Sequence, residues 1–342
     1  MTKFTLRAVL LLAALVLVCG TLTSCQKKSK WLTDLDEAKK EAEMQNKDIL
    51  ALFSGEDWDG KTTTFRVDVL DTEEFYRMVK EQYVLLNIDL SQSEQAHAIT
   101  GSDATEQQKV DAEIVQQGID AKQAVVRQYG VSSCPVIYIL SKEGYVLSLL
   151  SYSEGINSPT VFHNILEEQK ESMANISALI SKVAMSEGVE KARAINALYD
   201  ATPEPGRREL DSLIKSFASL DSNNQTGLLG KYEFINTYND AVKNISEGNK
   251  SGVVDSFVRI AENGHLDQDT KQQAYYNAAY LMAVLGDRDY DKMYSLLQKA
   301  QDVAPESPRA KDVSAMMEMV SKMRDLVNQA DSLFPGLKER GN

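Results

Sequence analysis

Side chains able to do chemistry gather at two places in this chain of 342 residues. The first is the turn Ser54-Gly55-Glu56-Asp57-Trp58-Asp59-Gly60-Lys61-Thr62, with three carboxylates, an indole, a lysine and hydroxyls. The second is Cys134-Pro135. A cysteine attacks only as the thiolate, which needs electropositive surroundings. Glu56, Asp57 and Asp59 would instead raise the pKa of a thiol near them. The spacing Gly55-x4-Gly60-Lys61-Thr62 also satisfies the phosphate-loop pattern, with Val84 to Asp89 available as a magnesium-holding strand. Against nucleotide binding, three carboxylates stand where backbone amides should cradle polyphosphate, and Trp58 is bulky for such a loop. His97, His163 and His265 lie far apart with neither metal-ligand spacing nor a cysteine companion, so no metal or other cofactor is expected.

The elements that must position these groups follow from hydrophobic patterning. Trp31 to Lys47 places Leu35, Ala38, Ala42 and Met44 at helical spacing, and the apolar run Ile49 to Phe53 reads as a short buried strand ending at Ser54-Gly55. A helix is expected from Thr62 to Lys80, with Val67, Leu70, Phe75, Met78 and Val79 on its apolar face. Tyr83 to Leu90 reads as a central strand. The segment from Ser91 to Tyr129 is longer than a simple crossover, with a loop through Gly101-Ser102-Asp103. Its second half spaces Val110, Ile114, Val115, Ile119, Ala121, Val125 and Val126 as a helix. It is either a lid over the turn or a surface excursion. Val136 to Leu140 and Tyr145 to Leu150, joined by Ser141 to Gly144, predict an antiparallel hairpin, whereas phosphate-loop sheets are mainly parallel.

Ala38-x3-Ala42, Asn46-Lys47, Ile49-Leu50-x-Leu52-Phe53-Ser54-Gly55-x-Asp57-Trp58 and, later, Tyr129-Gly130-Val131-Ser132-Ser133-Cys134-Pro135-Val136 resemble bacterial exported thioredoxin-like proteins over roughly residues 31 to 155. The resemblance implies that Pro135 is a cis-proline at a strand start, next to the Trp58 turn. In active members the tryptophan is followed by Cys-x-x-Cys, its first thiolate favoured by a helix N-terminus. Those two places hold Asp59 and Thr62 here, so the resemblance does not carry the disulfide chemistry with it. Trp58, Asp59, Thr62, Cys134 and Pro135 therefore make a degenerate thioredoxin site. Cys134 is its one candidate nucleophile, the alternative being a small residue packed beneath the turn.

Lys3 and Arg7 precede an uncharged apolar run from Ala8 to Val18, followed by Leu22-Thr23-Ser24-Cys25. This pattern predicts a signal peptide over 1–24 and resembles the lipobox of lipoproteins, implying a lipid on Cys25. The apolar run is short for a membrane span. Cys19 would leave with the signal and Cys25 would carry lipid, leaving Cys134 as the last thiol and no intramolecular disulfide. Loss of 1–24 removes two positive charges and takes the formal net charge from −13 to −15. Nucleic acid is therefore not expected as a partner. The tether over 25–30, with Lys27, Lys28 and Lys30, can rest on anionic head groups or serve as a solubilising spacer.

From Pro159 onward strand signals vanish. Gly, Pro and Asn/Asp clusters near 187–188, 202–206, 222–224, 248–249, 264–269, 286–289 and 305–308 separate amphipathic helical stretches. One unit, Tyr275-Tyr276-Asn277-Ala278-Ala279, Met282, Gly286-Asp287, Tyr290-Asp291-Lys292, Leu297-Gln298-Lys299-Ala300 and Pro305, resembles a tetratricopeptide repeat. It carries two extra turn residues, Arg288-Asp289, and Met293 where alanine is usual. Val313, Met316, Met317, Val320, Met323 and Val327 share one face of the last helix, as core or as an adaptable groove.

The expected architecture is an α/β thioredoxin-like domain over 31–157 followed by an all-α helical-repeat domain over 158–342. The expected function is a membrane-anchored envelope adaptor that binds proteins or peptides; Tyr275, Tyr276 and Tyr280 read first as packing residues, with a peptide-binding face as their second reading. Two alternatives are a single-cysteine thiol–disulfide oxidoreductase using Cys134 and nucleotide binding through Gly55 to Thr62.

Overall fold

The computed structural model describes residues 31–262 and 264–333. The signal peptide, the tether and lipidation of Cys25 lie outside the described residues. Helix α1 (Leu35–Gln45) starts where the Asp34 carboxylate accepts a bond from the Glu37 N–H at 2.8 Å, and ends at Asn46 in the left-handed region. It buries Leu35, Ala38 and Ala42. Met44, expected on that face, is exposed: two positions past Ala42 on a helix lie about 200° around the axis.

Strand β1 (Asp48–Ser54) runs through a four-stranded mixed sheet of order β2-β1-β3-β4. It is parallel to β2 (Tyr83–Asp89) and antiparallel to β3 (Val136–Leu140), which in turn pairs antiparallel with β4 (Val146–Ser151). Residues Ile49 to Ser54 are buried on both faces, which is why β1 reads as an uninterrupted apolar run.

The single helix expected from Thr62 to Lys80 is three pieces: α2 (Gly60–Phe65), a π-helical turn (Arg66–Leu70) and α3 (Glu73–Val79). The wider turn shifts the helical phase, so Val69 and Leu70 point inward and Val67 is exposed. The Thr72 hydroxyl then accepts from the Phe75 N–H at 3.1 Å and restarts the helix. Between β2 and β3 stand α4 (Gln92–His97) and the long α5 (Glu106–Gln128), which opens on a capping box of Thr105 and Gln108. Lys122 bonds both carboxylate oxygens of Glu94 at 2.6 and 2.7 Å, holding α5 to α4. Ala112 is the α5 residue that is buried, Val110 and Ile114 stay exposed, and Val125 and Val126 near its end pack against the α1 side of the sheet.

Helices follow the sheet: α6 (Pro159–Glu168), α7 (Lys170–Met185), α8 (Gly188–Ala201), a 3-10 segment (Glu204–Leu210), α9 (Asp211–Leu220), α10 (Leu229–Ser246), α11 (Val253–Ala261), α12 (Gln268–Val284), α13 (Tyr290–Val303) and α14 (Ala310–Leu333). No helix among the described residues is long and apolar enough to cross a membrane.

One face of the sheet, with Ile49, Ala51, Phe53, Val84, Leu86 and Tyr138, packs on α1 and Tyr129. The other face, with Leu50, Leu52, Leu85, Ile137 and Ile139, packs on Phe65, Leu70 and Phe75. That core continues without a break through Phe162, Ile176, Ile195 and Phe217 to Tyr232 of α10. Phe162 is the pivot, its ring centroid 5.4 Å from that of Phe65 and 5.7 Å from that of Phe75. A second core runs from Ala241 to Val320, with Phe257, Tyr275, Met282, Met293 and Leu297 buried in it. There the buried Gln272 donates to the carbonyls of Ala300 and Ala304 at 3.0 and 2.8 Å, tying α12 to the end of α13.

Candidate functional site

At the end of β1 the chain leaves the sheet through Ser54, whose Oγ lies 2.8 Å from Asn87 Oδ1 and 3.1 Å from Asp89 Oδ1 on the neighbouring strand. Each carboxylate of the turn has a structural partner. The Glu56 N–H donates to Asp89 at 3.0 Å, and the Glu56 carboxylate accepts from Asn87 Nδ2 at 2.9 Å and pairs with Arg66. Asp57 accepts from the N–H groups of Gln92 and Ser93 at 2.8 and 2.6 Å and from the Ser91 hydroxyl at 3.0 Å. Those two N–H groups, with the serine hydroxyls, hold its carboxyl down at about 2. Trp58 lays its ring over Gly55 and donates Nε1–H to the Leu90 carbonyl at 2.9 Å. A Cβ at residue 55 would fall 2.3 to 2.8 Å from three ring atoms, so this close approach requires glycine.

Asp59 is the N-cap of α2. Its carboxylate accepts from the N–H groups of Lys61 at 3.3 Å and Thr62 at 3.1 Å, and from the Thr62 hydroxyl at 2.7 Å. Thr62 is buried, and its Oγ1 also accepts from the Gly55 N–H at 3.3 Å. A loop that cradled phosphate would offer these amides to a ligand. Here an internal carboxylate occupies them, and the sheet behind is mixed; neither favours nucleotide binding.

Cys134 is a half-buried free thiol, and the Cys134–Pro135 peptide bond is cis. Burial pushes the thiol up to about 11, with Asp59 and Asp89 adding repulsion of the thiolate. At neutral pH it is a protonated, weakly nucleophilic sulfur, which does not favour the single-cysteine alternative. The histidines are scattered: His163 pairs with Glu167 at 3.4 Å and His265 with Glu233 at 3.3 Å. Among the described residues no group of His, Cys, Asp and Glu could hold a metal ion.

The helical region carries a different kind of site. Between α10 and α12 lies an apolar groove of about 340 Å³, walled by Tyr238, Val242 and Ile245 on one side and Tyr276 and Tyr280 on the other, with Phe257 of α11 in its lining. Tyr238, Val242 and Tyr280 are about half exposed, at 50%, 46% and 51%. The rings of Tyr276 and Tyr280 stack at 6.4 Å with 10° between planes. Of the three tyrosines, Tyr275 takes the packing role and not the contact role. It is 5% exposed and part of the core, with Lys299 Nζ 5.5 Å from its ring centroid. The α10 wall was missed from sequence, although Tyr238, Val242 and Ile245 are spaced i, i+4, i+7 and so share one helix face.

Residues 30–140 match a family model described as thioredoxin-like, and residues 228–326 match one described as an uncharacterised protein C-terminal domain. An uncharacterized protein of Treponema pallidum (strain Nichols) is 23% identical over 199 residues. That stretch is 58% of this chain and 66% of the relative, so it spans just under two thirds of that protein. Among solved structures, one named DsbH Oxidoreductase is similar with a TM-score of 0.30 and 19% identity, over 41% of this chain and 83% of that chain. The N-terminal region, with its mixed sheet, is a thioredoxin-like α/β fold, and a mostly helical C-terminal region follows it.

Proposed function

We propose that this chain is a binding protein of the bacterial cell envelope, held to a membrane by lipid on Cys25. Its thioredoxin-like region serves as a redox-inactive scaffold and its helical region captures a protein or peptide partner. The pairs α10/α11 and α12/α13 are read here as tetratricopeptide-like, with the partner lying on the face made by α10 and α12. One observation carries the binding reading: the apolar groove between α10 and α12 leaves Tyr238, Val242 and Tyr280, three large apolar side chains on facing helices, half exposed together. The Asp59 cap supports the absence of thiol chemistry, because the helix end that would favour a thiolate is already saturated by a carboxylate.

The experiment is a comparison of envelope proteins crosslinked to the full chain and to its Tyr280→Ala, Cys134→Ser and Cys25→Ser variants. The binding reading expects one discrete crosslinked partner, lost in Tyr280→Ala and retained in Cys134→Ser. It expects Cys25→Ser to move the chain out of the membrane fraction. Crosslinks indifferent to Tyr280, or lost with Cys134, would count against it.

A further inference from the structure

Tyr238 faces two openings. The same side chain lines a second cleft of about 480 Å³, bounded by Asn239 of α10, Gln273 of α12, and Arg207 and Arg208 of the 3-10 segment, with Gly130 of the thioredoxin-like region at its edge. The two openings are neighbours along α10, with Tyr238 lining both: one faces the seam with the thioredoxin-like region, the other reaches Tyr280. From Ile235 to Ile245 helix α10 advances about 15 Å at 1.5 Å per residue, the length of roughly five residues of extended chain.

The two ends differ in chemistry. Arg207 donates Nε–H to the carbonyls of Tyr199 and Thr202, both at 3.2 Å, and its guanidinium lies 4.7 Å from the Tyr199 ring centroid. Arg208 donates to the Arg127 carbonyl at 3.1 Å. These contacts orient both guanidinium groups without neutralising them. Among the described residues neither arginine forms an ion pair, in a chain whose formal net charge is −13. Glu204 lines the same cleft but is exposed and pairs with neither. Oriented guanidinium groups are suited to bidentate recognition of carboxylate.

Resting on the binding reading above, we infer that the partner presents an acidic–apolar peptide segment. Its apolar side chains seat against Tyr238, Val242, Tyr276 and Tyr280, and a neighbouring Asp or Glu side chain pairs with Arg207 and Arg208. The apolar end supplies contact area and the arginines set the direction in which the segment lies.

The test uses short fluorescein-labelled peptides with amidated C-termini. Each carries a Leu-Phe pair followed by Asp-Glu, Ser-Ser or Lys-Lys, and is titrated with the full chain and followed by anisotropy. The Asp-Glu peptide is expected to bind about tenfold tighter than the Ser-Ser peptide, and the Lys-Lys peptide more weakly still. Arg208→Glu removes this ranking. Tyr280→Ala weakens every peptide by a similar factor, and circular dichroism confirms that both variants keep their helices. Equal affinity for Asp-Glu and Ser-Ser peptides, or a ranking that survives Arg208→Glu, overturns the acidic segment while leaving the groove as a binding site. No binding of any peptide up to about 1 mM overturns the binding reading as well. A chain that sediments as a dimer and becomes monomeric on Tyr280→Ala makes a second copy the occupant, and overturns the inference.

Discussion

Asp59 and Thr62 bond twice: the Asp59 carboxylate accepts from the Thr62 backbone N–H at 3.1 Å and from its hydroxyl at 2.7 Å. Their three-residue spacing matches that of a Cys-x-x-Cys pair, but the relation is of another kind. A dithiol uses the amides at a helix start to favour a thiolate. Here the first residue spends those amides on its own carboxylate, and the second anchors that carboxylate while accepting from Gly55. The turn has become a helix cap.

The cap gives a first prediction. Asp59→Ala leaves the N–H groups of Lys61 and Thr62 without their acceptor and strips the buried Thr62 hydroxyl of one partner. The loss should be about 1 to 2 kcal/mol by denaturant unfolding, the range for removal of an N-cap. Asp59→Asn keeps one acceptor oxygen and should lose less. An Asp59→Ala chain as stable as the parent would show that the cap carries nothing.

Cys134 gives a second. With its thiol pushed up to about 11, alkylation by iodoacetamide should be slow at pH 8, where roughly one thiol in a thousand is ionised, and should climb steeply above pH 10. Because Asp59 contributes to the shift, Asp59→Asn should bring the midpoint down. Insulin reduction should proceed at the same background rate with the parent and with Cys134→Ser. An alkylation midpoint below about 8 would restore the enzyme alternative.

Gly55 gives a third. In Gly55→Ala the new methyl group occupies the place of the Trp58 ring, which must swing away and give up its bond to the Leu90 carbonyl. The emission of Trp58 should shift toward that of a fully solvated indole, while the buried Trp31, stacked 6.5 Å from Phe75, keeps its own. The stability cost should be about 1 kcal/mol, that of one hydrogen bond with modest packing. An unchanged emission spectrum would mean that the ring does not rest where the contact places it.

What could be read from sequence divides along the range of the interactions involved. The strands, the hairpin turn through Gly144 and the helix breaks at 202–206, 248–249 and 286–289 are local signals written in Gly, Pro and apolar runs, and each coincides with an element end. Val67 was misplaced because a π-helical turn resets the phase of a helix without leaving a residue signature. Spacing does not separate Tyr275 from Tyr276 and Tyr280, because α12 is buried on several sides, with Gln272, Ala274, Ala278 and Met282 all inside. The role of Asp57 was invisible for another reason. Its partners, Ser91 to Ser93, lie 34 to 36 residues away and meet it only when β1 and β2 pair.

Phe162 gives a fourth prediction. Its ring closes the core that the sheet shares with the helices up to Tyr232. Phe162→Ala should cost about 3 to 5 kcal/mol, the usual penalty for an aromatic cavity. Hydrogen exchange should show amides of β1 and of α7 to α9 losing protection together. The helices around Phe257 and Met282, which have a core of their own, should be affected less. Loss confined to α6 would mean that the shared core does not act as one cooperative unit.

Asp48 gives the last, and its sign runs against intuition about carboxylates. The side chain sits at the first residue of β1, where burial, with Glu143 adding repulsion and Lys142 opposing it, raises its carboxyl from 3.8 to about 6. The folded chain thus prefers this group protonated. A folded pKa above the unfolded one stabilises fully below about 3.8, and the contribution is lost as pH rises through about 6. At pH 7 Asp48 therefore opposes folding, and Asp48→Asn should stabilise. The gain should be on the order of 1 kcal/mol, below the full linkage value because solvent reaches and screens this half-buried group. The gain should shrink between pH 6 and pH 4 and vanish below that, when both chains carry a neutral side chain. Urea unfolding at pH 3.5, 5 and 7 measures it; a variant less stable at pH 7 than at pH 3.5, relative to the parent, would reverse the assignment.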